Sequence, residues 1–180
     1  KKTKVILFSN PSNPTGAVLN EEEIRKLGKF AKVHDLIIIT DETYDFLTYD
    51  KIKHFSPAVL KEIKDRVILC SSFSKRFALT GYRVGYAYSD SGIIDHMLKV
   101  HDALTICAPA ISQKAVIAAL KEPNLSVPEF VKKLSQNREL MRQKLDEMKS
   151  LFSYQKPMGA YYILAKYNIP KINSFDLALK

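Results

Sequence analysis

The chain has 180 residues, 46% of them hydrophobic and 26% charged, with 28 Lys and Arg against 19 Asp and Glu. That length supports one good core and a small second unit, and the composition is ordinary for a globular protein. No apolar run approaches the ~20 residues that cross a bilayer. The lysines scatter over polar helix faces instead of forming one stripe, so a solvated surface explains the basic balance better than nucleic acid does.

The chain opens on Lys1-Lys2-Thr3-Lys4 and runs at once into strand-like Val5-Ile6-Leu7-Phe8. No signal-peptide pattern precedes it. A start on a core strand suggests that further residues precede Lys1 in the natural protein. Lys4 to Ser9 reads as a first strand. It enters Asn10-Pro11-Ser12-Asn13-Pro14-Thr15-Gly16, a run of turn formers. Proline disfavours the helical region for the residue before it, so this loop is rigid. It is a platform for one side chain, and Asn13 can both donate and accept.

Asn20 with Glu23 three residues on forms a capping box for a helix whose inward face is Ile24, Leu27, Phe30 and Ala31. His34-Asp35 closes it. Leu36 to Thr40 is an unbroken apolar second strand, completing a βαβ unit. Asp41-Glu42-Thr43-Tyr44 follows. A carboxylate at the end of a buried strand needs a cationic partner. Asp41 comes straight after the apolar run, so it is expected to lie deeper than Glu42.

Ser56-Pro57 starts a short helix through about Ile63. Val67 to Ser71 is a third strand without alternation, as expected of one covered on both faces. Tyr82 to Ser89 is a fourth. The link between them is about ten residues long and reads as loop, too short for a parallel crossover, so the fourth strand is expected to run antiparallel. Gly81 permits a turn and Arg83 opens the strand. Asp90 or Ser91 caps a helix lined by Ile93, Ile94, Met97, Leu98 and Val100-His101. Pro109 starts another, through about Leu120. Ser126, Pro128 and Glu129 begin a long helix with apolar positions at Val127, Val131, Leu134, Met141, Leu145 and Met148. Phe152 to Gln155 and Ala160 to Lys166 form a hairpin-like pair, and Ser174 starts a last helix. There are no repeats or low-complexity tracts.

Cys70 and Cys107 lack metal-type spacing and read as reduced core residues of an intracellular protein. His96 and His101 are five apart, not the i, i+4 of a metal pair.

The chemistry gathers at strand ends. Ser72, Ser74, Lys75 and Arg83 leave the third strand within a dozen residues. Hydroxyls and an arginine fork suit a phosphate. A lysine in the crevice at the carboxyl ends of the strands can act as a nucleophile toward carbonyls.

Three motifs in order, N-P-S-N-P-T-G at 10–16, D-E-T-Y at 41–44 and S-F-S-K-R-F-A-L-T-G-Y-R-V-G at 72–85, resemble those of the class I/II aminotransferases. These are the aspartate-aminotransferase-like, fold type I enzymes that use pyridoxal 5′-phosphate. P-M-G-A-Y-Y at 157–162 is similar to the start of that family's small domain. The resemblance implies an α/β fold: part of a three-layer αβα large domain with a mainly parallel sheet, then a long bridging helix and the start of an α+β small domain. Residues 1–130 would be the second half of the cofactor-binding large domain, and 131–180 the bridging helix and the first part of the small domain.

It also implies roles. Lys75 would form the internal aldimine and shuttle the proton during amino-group transfer between an L-amino acid and a 2-oxo acid. Asp41 would pair with the pyridine nitrogen, with Asn13 and Tyr44 on the ring hydroxyl. Ser72, Ser74 and Arg83 would hold the phosphate, and Asn13–Pro14 would be a cis peptide. Amino-acid and 2-oxo-acid substrates, a cytoplasmic homodimer, and neither nucleic acid nor membrane are the implied partners. The same lysine and aspartate also serve a lyase of this fold, or a non-catalytic cofactor-binding sensor. The family's substrate-carboxylate arginine has no counterpart among Arg25, Arg66, Arg76, Arg83, Arg138 and Arg142 and is expected beyond Lys180. A piece of this extent is expected to be inactive alone.

Overall fold

The computed structural model describes residues 2–122 and 127–179. A four-stranded sheet is built from β1 (Val5–Ser9), β2 (Ile37–Asp41), β3 (Val67–Ser72) and β4 (Gly85–Tyr88), in that spatial order. β1, β2 and β3 are parallel and β4 runs antiparallel to β3. The short β3–β4 link explains the reversal, because a parallel crossover needs a longer connection.

Helix α1 (Glu21–His34) follows from its ends. Asn20 Oδ1 accepts from the Glu23 N–H at 3.0 Å and Glu23 Oε2 accepts from the Asn20 N–H at 2.8 Å. This satisfies two donors that the first turn would otherwise leave free. Asp35, at φ 53°, ends the helix in the left-handed region. Ile24 and Ala31 of α1 pack with Leu36, Ile38, Leu60, Ile63 and Val67 into the main core. Burying a side chain such as Ile24, Ile38 or Ile63 contributes roughly 1.5–3 kcal/mol. Ser56 caps the first of two short 3₁₀ turns, Pro57–Val59 and Lys61–Arg66, where the sequence suggested one helix. Phe30, expected inward, is 52% exposed.

Other expectations change. The unbroken apolar strands are covered on one face only among the described residues. Leu7 is 71% exposed and every residue of β4 is exposed, because α1 and the 57–66 turns pack against a single side of the sheet. The β3–β4 link is not plain loop. It holds α2 (Phe73–Arg76), capped by Ser72, and a 3₁₀ turn at Thr80–Tyr82. Arg83 does not open the strand but turns the chain at φ 50°. Gly85 is required by close approach: a Cβ there would lie 2.5 Å from the Ser71 carbonyl oxygen.

α3 (Ser91–Leu104) is capped by Asp90. α4 (Ala110–Lys121) follows Pro109, and α5 spans Val127–Glu147; the expected cap Ser126 lies outside the described residues. Their apolar faces are largely open, with Leu98, Val100, Ile111 and Met141 all more than half exposed. Cys107 is exposed and Cys70 half-buried, so Cys107 is not a core residue, and both are free thiols. β5 (Phe152–Tyr154) pairs antiparallel with β6 (Ala165–Tyr167), a later second strand than expected. Ala160 to Leu164 instead lies outside the hairpin. α6 (Ser174–Ala178) is capped by Asn173.

The 157–160 segment is clasped between two earlier parts of the chain. Gly16 O accepts from Met158 N at 2.7 Å and from Gly159 N at 2.9 Å. On the other side, Tyr49 N donates to Met158 O at 2.9 Å and Ala160 N to Leu47 O at 3.0 Å. A Cβ at Gly159 would sit 2.7 Å from Pro11 Cβ. α5 is tied to the same region. Arg138, 9% exposed, donates to Asp50 Oδ1 at 2.8 Å and to Pro157 O at 3.0 Å. Its guanidinium lies 4.2 Å from the centre of the Tyr49 ring. Among the described residues no helix is long and apolar enough to cross a membrane, and no group of three or more His, Cys, Asp or Glu is placed to hold a metal.

Candidate active site

The carboxyl ends of β1, β2 and β3 open on one polar cavity of about 320 Å³. It is lined by Asn13, Asp41, Tyr44, Ser72, Ser74, Lys75 and Arg83, the residues singled out from sequence, which reach it from separate loops. Ser9, Thr43, Thr80 and Tyr162 complete the wall.

Each element presents its side chain for a local reason. Asn13 sits on the proline loop, where both Asn10–Pro11 and Asn13–Pro14 are cis. The loop is pinned from within by Asn10, fully buried, whose Oδ1 accepts from Leu19 N at 2.9 Å and whose Nδ2 donates to Phe55 O at 3.4 Å. Asn13 N donates to Ser9 Oγ at 3.3 Å. Ser72 ends β3 and caps α2, its Oγ accepting from Ser74 N at 3.1 Å. That single turn of helix places the buried Ser74 and the half-buried Lys75 beside one another. The left-handed turn at Arg83 brings its guanidinium back over the 3₁₀ turn, where it donates to Thr80 O at 3.0 Å.

The two neighbouring acids are arranged opposite to expectation. Asp41 is exposed at the cavity, its Oδ1 accepting from Thr43 N at 3.0 Å. Glu42 is the deep one, 3% exposed. Its carboxylate meets His54 Nε2 at 2.8 Å and accepts from Ser56 Oγ at 2.8 Å. Strand alternation decides this: Thr40 and Glu42 point into the core side and Asp41 to the other. The partners that make Glu42 tolerable lie a dozen residues away, where the apolar run gives no sign of them.

Tyr44 is buried and its phenol is the centre of an aromatic cluster. Its hydroxyl donates to Tyr161 at 3.2 Å and shares a hydrogen bond of 2.5 Å with Tyr162. Burial first, and these hydrogen bonds second, push the Tyr44 phenol far above its ordinary value. Lys75 Nζ lies 5.9 Å from the centre of the Tyr161 ring. Tyr161 and Tyr162 come from the far end of the chain, and the P-M-G-A-Y-Y motif is the signal that marks them. Thr80 and Ser9 carried no signal of their own beyond their place beside Gly81 and the proline loop.

The donor set has open valences. Among the described residues' ion pairs, the acids Asp35, Asp45 and Asp50 have arginine partners, while Asp41 and Lys75 have no ion-pair partner. Arg83 spends one nitrogen on a carbonyl. An unpaired carboxylate, an amine, two serine hydroxyls and a guanidinium around one cavity suit a ligand with a cationic ring edge, a carbonyl carbon and an anionic group.

Comparison with known proteins shows what this chain is similar to. The family model for aminotransferase class I and II matches residues 1–171. The aspartate aminotransferase of Pyrococcus abyssi is 37% identical over 182 residues, covering 100% of this chain and 45% of the relative. Among solved structures, the aromatic aminotransferase from Pyrococcus horikoshii OT3 superposes with a TM-score of 0.87 at 36% identity, over 92% of this chain and 44% of that one. The aspartate aminotransferase from Thermus thermophilus with maleate gives 0.83 at 30% identity, over 91% and 42%. The chain thus spans under half the length of the curated relatives it matches.

Proposed function

This chain belongs to the class I and II aminotransferases and has the α/β fold of their fold type I members, and on that footing we propose that the complete protein transfers an amino group between an L-amino acid and a 2-oxo acid with pyridoxal 5′-phosphate. The observation that carries the proposal is the convergence of Asn13, Asp41, Tyr44, Ser72, Ser74, Lys75 and Arg83 on one cavity from three separated motifs.

The residues present fit that cofactor. Asp41, without a cation of its own, would receive the pyridine N–H. Ser72, Ser74 and Arg83 would hold the phosphate, the guanidinium using the donors it does not give to Thr80. Asn13 and Tyr44 would donate to the ring hydroxyl, and Lys75 would supply the amine that bonds the aldehyde carbon. The bound cofactor supplies an electron sink for the pair released at the substrate α-carbon. Lys75 Nζ would take up the proton released at the substrate α-carbon and hold it for return. Tyr44 keeps its own proton throughout, because burial holds the phenol neutral. The Glu42–His54–Ser56 set anchors the turn that carries Asp41 and Tyr44 and touches no reacting group.

Residues 1–130 are proposed as half of the cofactor-binding domain and 131–180 as the bridging helix with the first part of the small domain. α5 spans Val127–Glu147, so this boundary falls inside a continuous helix. A cytoplasmic homodimer is the proposed assembly. The open apolar faces of α3 and α4 support a reading in which further polypeptide covers this chain in the complete protein.

Lys75→Ala in the complete protein tests the reading. It should abolish the visible absorbance of lysine-attached cofactor and slow transamination by roughly 100- to 10,000-fold or more. An unchanged rate refutes the assignment. Consumption of the 2-oxo acid in step with the amino acid is expected; release of ammonia without it points to a lyase.

A further inference from the structure

None of His54, Phe55 and Ser56 lines the polar cavity, yet two of the loops that do are fastened to this tripeptide. From the proline loop, the fully buried Asn10 donates through Nδ2 to Phe55 O at 3.4 Å. From the turn after β2, the buried Glu42 accepts from Ser56 Oγ at 2.8 Å and meets His54 Nε2 at 2.8 Å. A carboxylate only accepts, so Nε2 carries the proton of that bond. His54 Nδ1 is buried with no partner among the described residues, so the imidazole's hydrogen bonding is spent on Glu42.

The tripeptide is itself held still. Phe55 packs against the main core, with the Arg25 guanidinium 5.4 Å from its ring centre. Ser56 Oγ also accepts from Ala58 N at 3.1 Å, and Pro57 beside it is buried. On the sheet, the same two loops meet at a ladder bond, Asn10 N to Asp41 O at 2.9 Å. One such bond lets the loops pivot about it. A second attachment, through a rigid segment, removes that freedom. Asn13 rides on one loop, and Asp41 with Tyr44 on the other, so the angle between the loops sets how far apart these side chains stand.

We propose that His54, Phe55 and Ser56 form a bracket that fixes the separation of Asn13 from Asp41 and Tyr44, with His54 and Ser56 as positioning residues for the cofactor-binding wall. A displacement of about 1 Å at such a wall can cost roughly 100-fold in rate. The inference deepens the proposed function and rests on that reading.

His54→Phe keeps a ring and deletes the bond to Glu42, whereas His54→Gln restores an N–H at similar reach. The first test reads amide hydrogen exchange in the cofactor-free complete protein. Leu19 N, donating to Asn10 Oδ1 at 2.9 Å, reports on one loop, and Thr43 N, donating to Asp41 Oδ1 at 3.0 Å, on the other. Both should exchange roughly tenfold faster in His54→Phe and recover in His54→Gln. Ile24 N, which donates to Asn20 O at 3.0 Å in α1, should be unchanged in both variants. Acceleration at only one loop, at neither, at Ile24 as well, or equally in His54→Gln overturns the bracket. The second test is a double-mutant cycle on pyridoxal 5′-phosphate affinity. Asn13→Ala and His54→Phe should each weaken binding about tenfold, and together by far less than the product, because the bracket acts partly through Asn13. Independent sites combine by simple multiplication, within about twofold, and that outcome also overturns the proposal. If the wild-type protein does not bind this cofactor, the underlying reading fails instead, and the exchange result stands apart from it.

Discussion

Asp41 and Glu42 are adjacent, chemically alike and oppositely employed. Asp41 faces the cavity with only a backbone N–H to satisfy it. Glu42 is buried against His54 and Ser56. Substitution should separate them. Glu42→Ala strands two buried polar groups, at about 1–3 kcal/mol each, and should lower the denaturant midpoint clearly. Asp41→Ala should leave that midpoint within about 0.5 kcal/mol of wild type, as exposed sites do, while removing most transamination in the complete protein. Equal midpoints for the two variants would refute the division of labour. Sequence alone reversed these two residues, because strand alternation and partners a dozen positions away outrank the apolar run that precedes them. The gathering of Asn13, Asp41, Tyr44, Ser72, Ser74, Lys75 and Arg83 on one cavity was legible, because each stands near a strand end within a distinctive local motif.

Among the elements, those set by local chemistry were readable and those set by cover were not. The Asn20–Glu23 box, the Asp90 cap and the antiparallel fourth strand follow from neighbours in sequence. The exposed faces of α3, α4 and α5 do not, since an apolar stripe says that something packs there and not what. The turn at Arg83 was hidden for another reason: a left-handed arginine has no signature, and the nearby glycine drew attention to itself. Gly85 is where the β3–β4 pair is least forgiving. Gly85→Ala would press a methyl group on the Ser71 carbonyl at 2.5 Å. It should cost about 1–3 kcal/mol and disturb the capping of α2 by Ser72, seen as lower stability together with weaker cofactor retention. A variant as stable as wild type would show that β4 can shift without cost.

At the scale of the whole molecule, one ionic cluster ties the long helix to the body. Arg138, with Lys156 behind it, holds the Asp50 carboxyl far below its ordinary 3.8. A carboxyl depressed in the folded state stabilises the protein above its unfolded value and loses that contribution as pH falls through the folded one. Asp50→Asn should therefore lower Tm at neutral pH, and the gap to wild type should close as the pH drops below 3.8. A gap that stays constant into acid would show that the carboxylate's charge contributes nothing. Asp50 itself is exposed. Its pairing with Arg138, 88 positions on, is long-range and was not visible.

The clasp on residues 157–160 has a further effect on how this architecture can vary. Tyr161 and Tyr162 inherit their location from three separate parts of the chain: the amino-terminal loop, the 47–49 segment and Arg138 of the long helix. Insertions are therefore better tolerated at the 148–151 turn than within residues 157–160, where three parts of the chain fix the phenols beside Lys75.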